Sequence, residues 1–460
     1  MRILEKVLEV DILDWSKLPD LVAVALLVCA FASVARSSQT SISKLWLIGW
    51  VLIALHFAGF AFAGAPGIWG TLCATVGLES LVWAGLLFMW ASVPYQKERS
   101  SHWMQWTLLC ANTAYIAALA AQTPAWLLTC AAITLGAAPL AIALALLSEI
   151  KSLLRWTTVA LYCGLATFLL AMQQRPGNGV TLALNAVLFT VYFSCAILFS
   201  HSFWRKTAGA FITTCGFFAW TAVFVLAPLK NAYAPQLHLE SEVWNLPKYV
   251  VAAGMILLLL EDQIAHNKYL ALHDELTGLP NRRLFQDRLA SALARAHRTG
   301  TQAALMVVDL DHFKQVNDTL GHHAGDLVLQ HVASAFSARV RRSDTVARTG
   351  GDEFSVILEE TTSFADAENV AHSLMELLAE PISVHEHPLQ VGASVGVAIF
   401  PDDAKDEESL CIVADLRMYE NKHGSADGRQ QFIRANDALL SVAGPPPETS
   451  PCAHAREQNS

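Results

Sequence analysis

Charge is what this sequence has least of: only 15% of its 460 residues are Asp, Glu, Lys or Arg, while 54% are hydrophobic. Water-soluble globular chains usually carry about 25% charged residues, which excludes an ordinary soluble enzyme for the chain as a whole. Tryptophan is missing after Trp244, although thirteen tryptophans lie at or before it. Cysteine pairs are missing too. Seven of the nine cysteines (Cys29, Cys73, Cys110, Cys130, Cys163, Cys195, Cys215) sit inside apolar runs, where a thiol packs as a small hydrophobe. Cys411 and Cys452 are far apart and show no CxxC spacing, so neither zinc nor a disulfide framework is indicated. A basic surplus is lacking where a nucleic acid would need one. Residues 1–267 hold 14 Lys+Arg against 12 Asp+Glu, and residues 268–460 hold 17 against 28. The second half is thus net −11, which argues against nucleic acid as a partner. Two chemically different halves share the chain, each long enough to bury a core of its own.

What the first half has is long apolar runs. A hydrocarbon core needs ~20 mostly apolar residues per helix. Runs at 45–64, 66–92, 103–121, 125–148, 156–172, 179–200 and 207–227 meet that length or come close, with weaker candidates at 19–35 and 243–260. The last of these carries Lys248 near its start. The expectation is an α-helical membrane bundle of about nine spans over residues 1–260, in contact with lipid. Trp46, Trp69, Trp90, Trp103, Trp126, Trp156, Trp204 and Trp244 fall near run ends, as an interfacial belt would. Alternate connections hold Arg36 and Lys44, Lys97 and Arg99, Lys151 and Arg155, and Arg205 and Lys206, against Arg175 and Lys230 in the others. The basic loops belong in the cytoplasm, which puts the N-terminus outside and the second half inside. A cleavable leader ending at Ala35 is rejected, because its first segment is net acidic. Glu79 lies within the third run and His56 within the second. A charge there is expensive, so Glu79 reads either as a ligand or proton sensor or as a neutral interhelical hydrogen-bonding group.

No Pro or Gly interrupts the chain from Ile256 to Leu270, so residues 261–273 read as a helical linker leaving the last span. At the other end, 436–460, with Pro445-Pro446-Pro447, reads as a disordered tail. Between them the hydrophobic period alternates. Ala303–Asp309, Phe354–Leu358 and Val391–Phe400 read as strands, with a short one at Thr345–Ala347. Asp326–Ala338, Ala365–Ala379 and Leu410–Asn421 read as helices. Gly350-Gly351 between two strands is a hairpin signal, resting on glycine's access to positive φ. The order predicts an α+β domain: an antiparallel-containing sheet with helices on one face, of the ferredoxin-like kind.

Chemistry gathers in two carboxylate pairs, Asp309-Leu310-Asp311 after a buried strand and Asp352-Glu353 after the two glycines. Should the hairpin strand lie beside the first strand, Asp309 and Asp352 converge, and two carboxylates suit Mg²⁺ with positions left for phosphate oxygens. Taken singly, each pair is as readily a helix cap or a solvated turn.

They do not stand singly. Asp274-Glu275-Leu276-Thr277-Gly278-Leu279-Pro280-Asn281-Arg282-Arg283, Asp309 to Asp318, Gly321 to Asp326, Arg348 to Phe354 and Gly392 to Ala398 follow in order. With these motifs the chain resembles the GGDEF-domain diguanylate cyclases, over about residues 262–435, the domain itself being 274–435. The resemblance implies an enzyme that joins two GTP molecules into cyclic di-GMP and releases two pyrophosphates. It implies Mg²⁺ held by Asp309, the Leu310 carbonyl, Asp352 and Glu353, with Glu353 near the attacking 3′-hydroxyl. Asn317 and Asp326 match guanine readers, Phe313 a pocket wall, Lys314 a phosphate-side cation, and Gly350 and Gly351 the turn over which the nucleotide approaches. Lys422 matches a phosphate-binding lysine. Its usual companion arginine, four residues on, is replaced by Ala426, and the nearest arginine is Arg429. Arg341 and Asp344 match an RxxD inhibitory site for cyclic di-GMP. Each domain holds one GTP, so the resemblance also implies a homodimer, with the enzyme in a bacterial inner membrane and its catalytic domain in the cytoplasm. The alternative is a catalytically silent receptor that binds cyclic di-GMP and signals to a protein partner. No EAL-type phosphodiesterase motif follows residue 435, so breakdown of the messenger is not expected.

Overall fold

The structure, a computed structural model, describes residues 17–37, 41–92, 99–121, 123–145, 153–173, 179–203, 207–361, 363–384 and 387–424. The expected tail at 436–460, Ala426 and Arg429, and the loop residues Lys97, Arg175, Arg205 and Lys206 lie outside the described residues. The chain divides into two compact units, 1–265 and 266–460.

The first unit is helical. Its described elements are α1 (Leu18–Ser37), α2 (Ser41–Ala61), α3 (Ile68–Ala91), α4 (Arg99–Ala120), α5 (Ala125–Ala145), α6 (Leu153–Gln173), α7 (Gly179–Phe203), α8 (Ala208–Tyr233) and α9 (Ser241–Leu272). Among the described residues, seven of these helices are long and apolar enough to cross a membrane. The other two are α4, which carries Gln105, Asn112 and Thr113, and α5, which is apolar over at least Ala125–Ala141. An aromatic core joins α2, α3, α7 and α8: Trp50 meets Phe88 at 5.5 Å, Phe88 meets Phe217 at 6.0 Å, and Trp46 meets Phe199 at 6.0 Å. Trp46, expected at an interface, is therefore a core residue, 1% exposed, whereas Trp69, Trp103 and Trp126 are more than 60% exposed. Position near a run end does not set the direction in which an indole points.

Lys248 is accommodated by chemistry the sequence does not display locally. It is 8% exposed and donates to Asn245 Oδ1 at 2.6 Å, while Asn245 donates to Asp20 Oδ2 of α1 at 2.9 Å. The Phe57 ring centroid lies 4.6 Å from its ammonium. A buried charge persists when it is paired and hydrogen-bonded, and here the pairing ties the ends of the unit together. His56 Nδ1 contacts the Gly77 carbonyl at 2.9 Å across the α2–α3 contact, and Glu79 stands midway along α3.

The second unit contains α10 (Arg282–Thr299), β1 (Gln302–Asp311), α11 (Phe313–Leu320), α12 (His322–Arg339), β2 (Thr345–Arg348), β3 (Glu353–Thr361), α13 (Phe364–Ala379), β4 (Ile382–Val384), β5 (His387–Leu389), β6 (Gly392–Phe400) and α14 (Glu407–Gly424). Four strands form one sheet in the order β2-β3-β1-β6, every neighbouring pair antiparallel. Helices cover both faces, which corrects the one-face expectation. Ala304, Met306, Val308 and Leu310 of β1 pack with Phe313, Val328, Val332 and Leu374 on one side. Ala303, Leu305 and Val307 pack with Phe285, Leu289, Leu293 and Leu410 on the other. A strand buried on both faces reads as a continuous apolar run rather than an alternation, and β1 is such a run.

The second face is closed by α10, a helix absent from the sequence expectation. Its start is set by Asn281, whose side chain accepts from Arg283 N and Leu284 N at 3.0 and 3.1 Å. Its end is set by Gly300 at φ 71°, where a glycine carries no Cβ penalty. The sheet also needs Gly396: a Cβ there would lie 2.0 Å from the Ala414 carbonyl oxygen, so only glycine lets α14 lie this close to β6.

Candidate active site

Asp309 is the penultimate polar residue of β1, nine-tenths buried, on the face shared by Ala303, Leu305 and Val307. Register places it opposite Glu353 of β3 on one side and Ser394 of β6 on the other. The β2–β3 hairpin closes at the Arg348–Phe354 pair. Thr349 N donates to the Glu353 carbonyl at 3.0 Å, and Leu310 N donates to the Asp352 carbonyl at 3.2 Å. That last bond fastens the signature turn to the end of β1, so β3 does lie beside the first strand. Asp311 accepts from Ser394 Oγ at 2.8 Å, which directs it to β6.

The two glycines act through space rather than through backbone conformation. Neither Gly350 nor Gly351 lies at positive φ, contrary to the expectation from the hairpin signal. A Cβ on Gly350 would lie 2.5 Å from Glu353 Oε2, so side-chain bulk there pushes the carboxylate away. Gly351 faces open space, with nothing within 4 Å of its Cβ position.

Arg348 holds the turn from behind. Its Nη1 donates to Asp274 Oδ1 at 2.9 Å, while Nε and Nη2 donate to the Gly351 carbonyl at 3.2 and 2.7 Å. Asp274 also accepts from Thr277 N and Oγ1 at 2.9 and 2.7 Å. Burial works against the Asp274 carboxylate, yet the Thr277 and Arg348 hydrogen bonds together hold its pKa below the usual range. The Asp274-to-Asn281 motif therefore buttresses the turn, a role its sequence alone did not disclose.

Negative charge accumulates at this end of the sheet. The Glu353 pKa is raised, first by burial and then by Asp309, Asp352 and Asp415, with Arg282 opposing. Burial likewise raises Asp415 of α14, again opposed by Arg282. Lys422 Nζ contacts Asp309 Oδ1 at 2.5 Å. Burial disfavours the Lys422 charge, but the Asp309 hydrogen bond and the charges of Asp309, Asp311 and Asp352 outweigh it and raise its pKa. Among the described residues no three His, Cys, Asp or Glu side chains form a group that could hold a metal ion by themselves. The residues nonetheless fit Mg²⁺. Hard cations take carboxylate and carbonyl oxygens and keep water or phosphate in the remaining positions, and a crowded carboxylate set with an ammonium on Asp309 is one that a divalent cation would relieve. Asp415 stands in none of the sequence motifs, and Arg282 and Ser394 stand in them without an assigned role; only the fold brings α10, α14 and β6 to this point.

A second group lies on α11 and α12, just past the end of β1. Phe313 is 9% exposed and belongs to the core. Asn317 Oδ1 would lie 2.0 Å from a Cβ on Gly325, so that glycine makes room for the amide. Lys314 and Asp326 are exposed. The third group is separate. Arg341 and Asp344 form a turn in which Asp344 Oδ2 accepts from Arg341 N at 3.0 Å, and Asp344 Oδ1 accepts from Glu359 N at 3.3 Å. They precede β2 while the glycine turn follows it, a separation of about 13 Å of strand.

The sequence of this part of the chain matches known proteins. Residues 271–428 match the family model described as the diguanylate cyclase GGDEF domain. This part of the chain is a GGDEF domain. The chain is 45% identical over 159 residues to the bifunctional diguanylate cyclase/cyclic di-GMP phosphodiesterase MucR of Pseudomonas aeruginosa, covering 35% of this chain and 23% of that protein. It is 38% identical over 182 residues to the diguanylate cyclase TpbB of the same organism, covering 39% and 42%. The chain thus spans less than half of either relative. The solved GGDEF domain of TpbB is 40% identical, covers 33% of this chain and 90% of that one, and gives a TM-score of 0.33.

Proposed function

We propose that the chain is a membrane-bound diguanylate cyclase, condensing two GTP into cyclic di-GMP and two pyrophosphates. The observation that carries this reading is the register of Asp309 against Glu353, with the Asp352 carbonyl bonded to Leu310 and Lys422 on Asp309. Carboxylates for a cation and an ammonium for phosphate meet at one strand end. The domain reading is a membrane bundle of about nine spans over 1–260, a helical linker at 261–273 and the cyclase at 274–435. The β2-β3-β1-β6 order supports its ferredoxin-like description.

In this reading Asn317 and Asp326 receive the guanine edge, since an amide and a carboxylate together match its acceptor and its N–H donors. Phe313 backs the base, Lys314 faces the phosphates, and the open space at Gly351 admits the nucleotide. Lys422 binds the phosphates. Asp309, the Leu310 carbonyl, Asp352 and Glu353 would hold Mg²⁺, which supplies Lewis-acid polarisation of the phosphate when bound. Glu353, with its raised pKa, is assigned the 3′-hydroxyl proton. Two chains face each other, each 3′-oxygen bonding to the other's α-phosphorus as pyrophosphate leaves, so positioning supplies much of the rate. Arg341 and Asp344 form the site for product inhibition, which a fork of guanidinium donors suits. In this reading the enzyme sits in a bacterial inner membrane with this domain in the cytoplasm, and the seven long apolar helices support a membrane position.

The test is turnover by the full chain in nanodiscs with GTP and Mg²⁺. Cyclic di-GMP from the parent and none from Asp352→Ala is the expected result. Binding of cyclic di-GMP with no turnover at any protein concentration would move the assignment to a receptor.

A further inference from the structure

The Lys422–Asp309 contact has a consequence for the order of binding, resting on the cyclase reading above. Asp309 is 12% exposed at its side chain, and Lys422, 38% exposed, reaches it from α14. That helix is pinned against β6 by the missing side chain of Gly396, so Lys422 is delivered by a close-packed element rather than a loose one. Asp352 and Glu353 stand beside the pair, and Glu353 is opposite Asp309 in register.

An ammonium and a divalent cation repel each other at contact range, so a metal ion on Asp309 competes with Lys422 on its Oδ1. The carboxylates need a cation in the absence of nucleotide, and Lys422 is the one in contact. A triphosphate offers Lys422 a different anion to bind and thereby frees Asp309. We infer that Lys422 is a placeholder on the metal site: it lowers divalent-cation affinity in the nucleotide-free protein and releases Asp309 when a nucleoside triphosphate arrives. Metal and nucleotide then bind cooperatively, each strengthening the other by the same factor.

Mn²⁺ binding by the full chain, followed by electron paramagnetic resonance without turnover, tests this. The probes are Mn²⁺ alone and Mn²⁺ with a GTP analogue carrying a methylene group between its α- and β-phosphorus atoms. Lys422→Met should tighten nucleotide-free Mn²⁺ binding about three- to fivefold, the scale of a partly exposed ion pair lost, and should shrink the enhancement produced by the analogue. Lys422→Arg, which keeps the charge, should behave like the parent. Unchanged or weaker nucleotide-free binding in Lys422→Met, with the analogue still enhancing binding in the parent, overturns the placeholder role and leaves the cyclase reading intact. No Mn²⁺ binding by the parent with or without the analogue counts against the cyclase reading, and the placeholder falls with it.

Discussion

Two carboxylates at the signature turn, Glu353 within it and Asp274 held to it through Arg348, respond to pH with opposite signs. The Asp274 pKa is lowered by its Thr277 and Arg348 hydrogen bonds. Its contribution to stability is present above the ordinary carboxylate range and is lost as pH falls through its folded value. Asp274→Ala should destabilise the domain by roughly 2 kcal/mol at neutral pH, the worth of hydrogen bonds to a charged group, and by less in acid. Glu353 behaves in the other direction: its raised pKa means that ionisation costs stability in the folded state, above its unfolded pKa. Glu353→Gln should therefore raise the melting temperature of the nucleotide-free protein at neutral pH, and the gain should vanish as pH falls into the carboxylate range. Thermal melts across pH for both variants check the pair. A melting temperature lowered by Glu353→Gln at neutral pH contradicts the crowding of charge at this site.

At the scale of elements, the close approach of α14 to β6 is the sharpest constraint. A Cβ on Gly396 meets backbone atoms, Ala414 O at 2.0 Å and Met418 N at 2.3 Å, which cannot rotate aside. Gly396→Ala should cost about 3 kcal/mol, the upper part of the overpacking range, read as a shifted denaturation midpoint. Leu289→Ala in α10, at a position with no exposure, should cost about 3 kcal/mol through cavity formation. The same elements show what the sequence discloses. The β1 run and the glycine turn were legible because a buried strand and a hairpin leave local patterns. By contrast, α10 was obscured, since Arg282, Arg283, Asp287, Arg288 and Arg295 dilute its apolar spacing. Its cap residues Asn281 and Gly300 were the available signal. Register was not legible at all: that Asp309 faces Glu353, that Asp415 joins them, and that Arg348 reaches back to Asp274 depend on strand order. Lys248 bonds Asn245 three residues away, and Asn245 in turn reaches Asp20 across 225 residues, a distance no local pattern records.

For the molecule as a whole, α9 is the element of interest, one 32-residue helix from Ser241 to Leu272 that ends two residues before Asp274. It joins an apolar helical unit to a GGDEF domain without a break in the helix. If two domains supply one GTP each, turnover per chain should rise with chain density in the membrane at low density and level off when pairing is complete; a per-chain rate independent of density throughout would deny an assembling dimer. A cyclase joins two nucleotides at this site, whereas a receptor merely binds the product. The direct measurement is stoichiometry: full chain in nanodiscs, GTP and Mg²⁺, with pyrophosphate and cyclic di-GMP counted in the same reaction. Two pyrophosphates for each cyclic di-GMP, both abolished in Asp352→Ala, is the predicted result. Pyrophosphate without cyclic di-GMP, or neither product from a chain that still binds cyclic di-GMP, would contradict it.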